Sequence, residues 1–157
     1  MISIGIIGPE STGKSTLAVY LANRYKGLLI PEYARTYMEL LNRPYTYEDV
    51  VAIAKHQIDE LRTFRARLKN SDTILFFDTE LIITKVWFEH KYGACPQWLE
   101  EAIREYPMDT YLLTYPDIEW KPDPVRENPD IRLQLFRQYE KEVQKLNIPY
   151  YIIKHCN

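Results

Sequence analysis

Eight residues near the N-terminus, Gly8-Pro9-Glu10-Ser11-Thr12-Gly13-Lys14-Ser15, leave this chain fewer ways to fold than any other stretch does. The pattern is GxxxxGK[ST]. Glycines let the backbone curl until its N–H groups point inward at an anion. Lys14 is placed for the β- and γ-phosphates of a nucleotide, and Ser15 for a magnesium ion. At an average glycine usage of about 7%, such a match arises by chance in under about 1% of chains this long. The flanks agree with it. Ile2 to Ile7 is a short apolar run that reads as a buried strand, and Lys14 to Tyr25 keeps apolar residues at helical spacing. A strand before the turn and a helix after it is the context this loop needs, since the helix presents its positive end to the phosphates. Gly8, Glu10, Ser11, Thr12, Gly13, Lys14, Ser15 and Thr16 are therefore the expected contacts of bound ATP.

The rest of the chain alternates strands and helices. Strands are expected at Gly27–Ile30, Thr73–Phe77, Thr110–Thr114 and Tyr150–Ile153. Helices are expected at Glu32–Leu41, from Thr46 to about Lys69, and at Glu80–Tyr92, Gln97–Tyr106 and Asp130–Leu146. Thr46-Tyr47-Glu48-Asp49 has the form of a capping box, with Asp in the usual Glu position. Such alternation implies a parallel sheet of about five strands covered on both faces. With 157 residues and no dividing linker, the expectation is a single three-layer α/β domain over 1–157. Tyr115 to Pro129, rich in proline and charge, reads as a loop where small-molecule kinases carry a lid.

Composition excludes several classes. A net charge of −2 offers no electrostatic case for nucleic acid or a membrane surface. No apolar run approaches the roughly 20 residues of a membrane span, and the N-terminus has no basic start or long apolar stretch. Cys95 and Cys156 show no metal spacing and suit a reducing compartment, so cytoplasm is the expected location. Thirteen tyrosines and three tryptophans can fill a core or stack against a flat ligand. Nothing in the sequence bears on oligomeric state.

Other candidate site residues follow from the expected sheet. Ile74 to Phe77 is an apolar strand ending in Asp78. That carboxylate either helps hold magnesium beside the γ-phosphate or caps the helix that starts near Glu80. Glu32 and Arg35 follow the second strand, on the edge where parallel sheets bind ligands. They either hold the phosphate acceptor or form a surface ion pair. Trp87 and Trp120 are candidates for an aromatic wall, Trp87 being preferred because a helix is better preorganised than a loop, with core or lid packing as the alternative. Arg126, in the expected lid, is placed to neutralise charge in the transition state or else lies in solvent. His56, His90 and His155 are assigned no role.

With these pieces together, the sequence resembles the ribosylnicotinamide kinase domain of NadR-type NAD-biosynthesis proteins and the wider set of NadR-like P-loop ATPases and kinases. The matching segments are Gly8 to Leu17, Pro31-Glu32-Tyr33-Ala34-Arg35, Phe77-Asp78-Thr79-Glu80 and Trp120 to Arg126. The resemblance implies a P-loop NTPase fold like the nucleoside monophosphate kinases, with the Asp78 strand beside the phosphate-loop strand and a lid at about 115–129. It implies transfer of a phosphoryl group from ATP, with Mg²⁺, to the ribose 5′-hydroxyl of nicotinamide riboside. Lys14, Ser15 and Asp78 carry over to ATP and Mg²⁺, Arg126 to the lid, and Glu32 and Arg35 to the acceptor. Asp78 is the first choice for taking the hydroxyl proton and Glu32 the second. A regulatory ATPase, or a kinase for another nucleoside, shares the same motifs. Two departures stand out. Asp78-Thr79-Glu80 replaces an expected Asp-Thr-Asp, and Pro124 stiffens a lid where glycine is commoner. The sequence stops at His155-Cys156-Asn157, where relatives usually continue into a closing helix, so a short member or a shortened chain is expected. An adenylyltransferase domain and a DNA-binding helix-turn-helix are not expected.

Overall fold

A computed structural model describes residues 1–155; Cys156, one of the two thiols, lies outside the described residues. Five parallel strands, β1 (Ile2–Ile7), β2 (Leu28–Ile30), β3 (Ile74–Asp78), β4 (Thr110–Thr114) and β5 (Tyr150–Ile153), form one sheet in the order β2-β3-β1-β4-β5. Six helices connect them: α1 (Lys14–Arg24), α2 (Tyr33–Leu40), α3 (Tyr47–Leu68), α4 (Leu81–Tyr92), α5 (Gln97–Glu105) and α6 (Arg132–Lys145). The expected elements are all present, with ends that differ by one or two residues.

Local chemistry sets several of these boundaries. The capping box forms: the Thr46 side chain meets the backbone at Asp49, and the Asp49 carboxylate accepts the Thr46 N–H at 2.7 Å. The same carboxylate accepts two bonds from Arg43, at 2.7 and 3.0 Å, and one from the Tyr37 hydroxyl at 2.7 Å. Those bonds, Arg43 first, hold Asp49 well below the usual carboxylate range. Tyr37 lies on α2, a helix with no fully buried residue. Hydrogen bonding therefore anchors α2 where apolar burial is thin.

The apolar residues divide between two cores. On one face of the sheet, Ala18 and Ala22 of α1 close onto Ile6 and Phe76. On the other, α3 to α6 enclose a larger core that includes Phe77, Phe88, Leu99 and Tyr111. Each such large side chain contributes roughly 1.5–3 kcal/mol on burial. The alternation is strict along β3, where Phe76 faces one core and Phe77 the other. Lys85 ties three helices together on the larger side, with Glu142 of α6 at 2.8 Å and Glu100 of α5 at 3.1 Å.

The strand order decides where a ligand can sit. From β1 the chain passes to β2 and β3 on one side, then to β4 and β5 on the other. Ligands bind outside the strand ends at such a reversal, because diverging connections leave a crevice there. Here the crevice lies beyond Ile7 and Asp78.

Candidate functional site

The phosphate loop fills that crevice. Ser11 (φ 56°) and Gly13 (φ 84°) take left-handed backbone conformations, so successive N–H groups turn toward one concavity. Gly8 has no room for a side chain: a Cβ would stand 2.1 Å from Thr114 Oγ1 and 2.7 Å from the Thr114 carbonyl oxygen. Thr12 secures the underside, donating to the Pro9 carbonyl at 2.7 Å and meeting Thr114 Oγ1 at 2.6 Å. Gly13 caps α1 without a side-chain bond, and no acidic residue occupies the first turn. The free N–H groups there suit an anion. Lys14 Nζ folds across the loop to the Pro9 carbonyl at 2.8 Å. Burial lowers its pKa, against an upward pull from Glu32, Asp78 and Glu10. A desolvated ammonium among carboxylates gains by meeting phosphate.

The end of β3 excludes the capping reading of Asp78. Its Oδ2 accepts the Ser15 hydroxyl at 2.6 Å, and its buried Oδ1 has no partner. The helix cap is Glu80 instead, whose Oε1 accepts the Ile82 N–H at 2.8 Å. Thr79 between them makes the division possible. It adopts φ 73°, and its N–H donates to the Ile6 carbonyl at 3.0 Å. A β-branched residue in that region costs on the order of 1–3 kcal/mol, and such strain collects at functional sites. The turn sends the Asp78 carboxylate to the phosphate loop and the Glu80 carboxyl under α4. Burial raises Glu80 to about 7. Among the described residues no cluster of three or more His, Cys, Asp or Glu side chains could hold a metal by itself. A hydroxyl beside a carboxylate with a spare oxygen does fit magnesium, which binds through few protein ligands and relies on phosphates and water for the rest.

A cavity of about 270 Å³ opens from Lys14 toward α4 and the lid. Glu32, Arg35, Tyr45, Trp87 and Glu127 contribute to its wall. Glu32 sits at the N-cap of α2, and burial raises its pKa while Lys14 lowers it. Arg35 binds both oxygens of Asp123 in the lid, at 3.0 and 2.9 Å, and stands 3.9 Å from Glu32. The pairing therefore spans two elements instead of lying on one helix surface. Trp87 is half-buried between the buried Val86 and Phe88. Its indole N–H donates to the Tyr45 hydroxyl at 3.2 Å, which in turn donates to Glu127 at 2.6 Å.

The lid lies down on the phosphate loop. Glu10 accepts three bonds from it: the Trp120 indole at 3.3 Å and the N–H groups of Glu127 and Asn128 at 3.0 and 3.1 Å. Trp120 thus packs the lid onto the loop and is not part of the cavity wall that holds Trp87. Glu10, expected as a phosphate contact, spends its carboxylate on the lid. Arg126 lines a separate cleft of about 180 Å³ with the loop residues Lys14 and Ser15, and donates to the Lys121 carbonyl at 2.6 Å. Pro124 stands inside a tight turn: Arg126 N–H bonds the Asp123 carbonyl at 3.0 Å, and Val125 N–H the Asp123 side chain at 3.1 Å.

A family model described as an AAA domain matches residues 3–157. The chain belongs to the AAA domain family. This AAA domain is also 26% identical over 130 residues to the trifunctional NAD biosynthesis/regulator protein NadR of Salmonella typhimurium. That match covers 79% of the chain but only 30% of the relative. Among solved structures, a NadR protein in complex with NR superposes with a TM-score of 0.74 at 22% identity, over 96% of this chain and 43% of that one. Thymidylate kinase from Ehrlichia chaffeensis gives 0.72 at 12% identity, over 99% and 88%. The fold is that of P-loop kinases, as the sequence implied, with the Asp78 strand beside the phosphate-loop strand. No helix among the described residues is long and apolar enough to cross a membrane.

Several residues of the AAA domain's site carried no signal in the sequence. Arg132, at the start of α6, bonds the carbonyls of Ser11 at 3.1 Å and Ile118 at 2.7 Å, locking loop to lid. Tyr45 and Glu127 lie in connections without regular pattern. His90 and Tyr139 line the cavity from α4 and α6. His155 pairs with Asp117 at 2.8 Å, and its ring reaches within 3.2 Å of where a Cβ on Gly13 would stand. His56 stacks on Tyr33, with ring centroids 3.5 Å apart, and so helps seat α2 on α3.

Proposed function

We propose that the protein is an ATP-dependent kinase for the ribose 5′-hydroxyl of nicotinamide riboside, giving nicotinamide mononucleotide and ADP. One observation carries the reading: a single cavity is lined by the phosphate-loop lysine, by Trp87 and Tyr45, and by Glu32. A flat, cationic pyridinium ring suits an aromatic face. The kinase fold and the NadR similarity support the same assignment. A nucleotide switch that phosphorylates no metabolite would have no use for such a cavity.

Phosphoryl transfer depends mostly on positioning and charge. The α1 N-terminus and Lys14 hold the donor phosphates, and Arg126 faces them from the lid. Ser15 and Asp78 would hold Mg²⁺, which when bound neutralises charge on the phosphate oxygens. The acceptor oxygen forms a bond to the γ-phosphorus as the bond to the β-phosphate oxygen breaks. Its proton needs a base. Glu32 is favoured over Asp78 in this role, because it lines the acceptor cavity and burial raises its pKa, while Asp78 is engaged by Ser15.

The test is release of ADP from ATP with no acceptor, with nicotinamide riboside, and with a panel of other nucleosides. The expected result is turnover that depends on nicotinamide riboside. Acceptor-independent hydrolysis alone would identify a regulatory ATPase. Preference for another nucleoside would keep the kinase and replace the substrate.

A further inference from the structure

We propose that Tyr45 is a positioning residue that makes acceptor binding and lid docking a single event. The inference rests on the kinase reading, but its geometry does not depend on which acceptor is used. Tyr45 lies in the connection between α2 and α3, far in sequence from both its partners. Its hydroxyl accepts the Trp87 indole N–H at 3.2 Å and donates to Glu127 Oε1 at 2.6 Å. The Tyr45 and Trp87 rings meet edge to face, with centroids 5.1 Å apart. Glu127 belongs to the lid, and its own N–H donates to Glu10 of the phosphate loop at 3.0 Å. A continuous chain of bonds thus runs from the α4 wall through Tyr45 and the lid to the phosphate loop.

The position of Tyr45 gives this chain its consequence. The inner cavity of about 270 Å³ and an outer groove of about 550 Å³ share Met38, Tyr45, Val125 and Glu127 as lining. The Tyr45–Glu127 bond therefore stands in the partition between the two. With the bond made, the inner cavity is set apart from the groove and the lid is seated on the loop. With it broken, the lid keeps its bonds to Glu10, Arg35 and Arg132 but loses its tie to the α4 wall. A hydroxyl that donates once and accepts once is fully used here, and phenylalanine preserves the ring contact while removing both bonds. An acceptor resting on Trp87 would steady the indole and so the hydroxyl, and through it the lid over the phosphates. Seating a lid in this way withholds water from the donor until the acceptor is present.

The experiment is a double-mutant cycle with Tyr45→Phe and Glu127→Ala in the whole chain. Each variant is read by the acceptor KM, the ATP KM, ADP release with ATP alone, and melting temperature. Tyr45→Phe should raise the riboside KM about tenfold, the scale of one hydrogen bond to a charged group. The ATP KM should stay within about twofold, and ADP release without acceptor should rise about threefold as water gains access. Glu127→Ala should act alike, and the double variant no more strongly than either single one. Glu127→Gln keeps an oxygen for the hydroxyl and should have a smaller effect than Glu127→Ala. Effects that multiply in the double variant would overturn the coupling. So would a fall in melting temperature with both KM values unchanged. Should the unmutated chain ignore nicotinamide riboside, the substrate reading fails alone. The cycle is then read from ADP release with ATP alone, where an unchanged rate in both single variants overturns the positioning role.

Discussion

The phosphate loop and the acceptor wall are built on opposite plans. The loop is one unbroken run of eight residues, and its working surface is largely backbone N–H groups at a helix start. The wall draws Glu32 from the N-cap of α2, Tyr45 from the α2–α3 connection, Trp87 from α4 and Glu127 from the lid. Backbone donors recognise any phosphate. Side chains brought from separate elements can be exchanged one at a time, so the proposed acceptor specificity is assigned to the wall. The loop is held by buried bonds such as Thr12 to Thr114, whereas the wall hangs on longer side chains and a thinly buried α2. The lid joins the two plans, since Glu10 of the loop and Tyr45 of the wall both grip it.

Loop and wall differ most at Lys14. Lys14→Ala should cut turnover by about a thousandfold or more, because a charged donor aimed at the transferring phosphate is lost. Stability should change little, since that ammonium is bonded only to the Pro9 carbonyl. Retention of near-normal turnover in the ADP assay would remove the donor assignment. Asp78→Asn comes next, with an expected loss of about a hundredfold. It keeps an acceptor for Ser15 while removing the charge, so the loss should shrink as Mg²⁺ is raised. A loss insensitive to magnesium would make Asp78 a purely structural partner of Ser15.

Glu80 tests whether the two plans meet under α4. Its folded pKa of about 7 lies above the ordinary 4.5. Between those values the folded chain holds a proton that the unfolded chain has released. Stability therefore falls as pH rises from about 4.5 to about 7, by about 3 kcal/mol. Glu80→Gln retains an oxygen for the Ile82 N–H and should flatten that pH dependence in denaturant melts. Persistence of the full slope in the variant would assign it to another group. The two tryptophans give the smallest and sharpest contrast. Trp87→Leu should raise the riboside KM about threefold to tenfold and leave the ATP KM alone. Trp120→Leu should do the reverse, raising the ATP KM about fivefold through loss of one bond to Glu10. Identical shifts in both variants would erase the distinction between donor and acceptor sides.

How far the sequence could be read followed the same division. The loop, the strands and the capping box at Thr46 were all legible, because each depends on residues within a few positions of one another. Asp78 was legible as a candidate but not as a choice, since an acid after a strand serves equally as ligand or cap. The left-handed turn at Thr79 leaves the cap to Glu80, and no local pattern announces it. The sequence favoured Trp87, on a helix, over Trp120, at the start of the lid, as the aromatic wall. They separate in space because α4 runs along the cavity while the start of the lid lies against Glu10.

By itself, then, the sequence determined a phosphate-loop motif at Gly8 to Ser15 and the alternation of strands and helices into a parallel sheet. Hydrophobic periods and glycine-rich turns act over short range and need no knowledge of the rest of the chain. Only the tertiary structure decided what faces that loop. Tyr45 and Glu127 are 82 positions apart, and Glu10 and Asn128 are 118 apart. Whether such residues meet depends on strand order and on how each connection crosses the sheet edge, and these are settled by packing of the whole core.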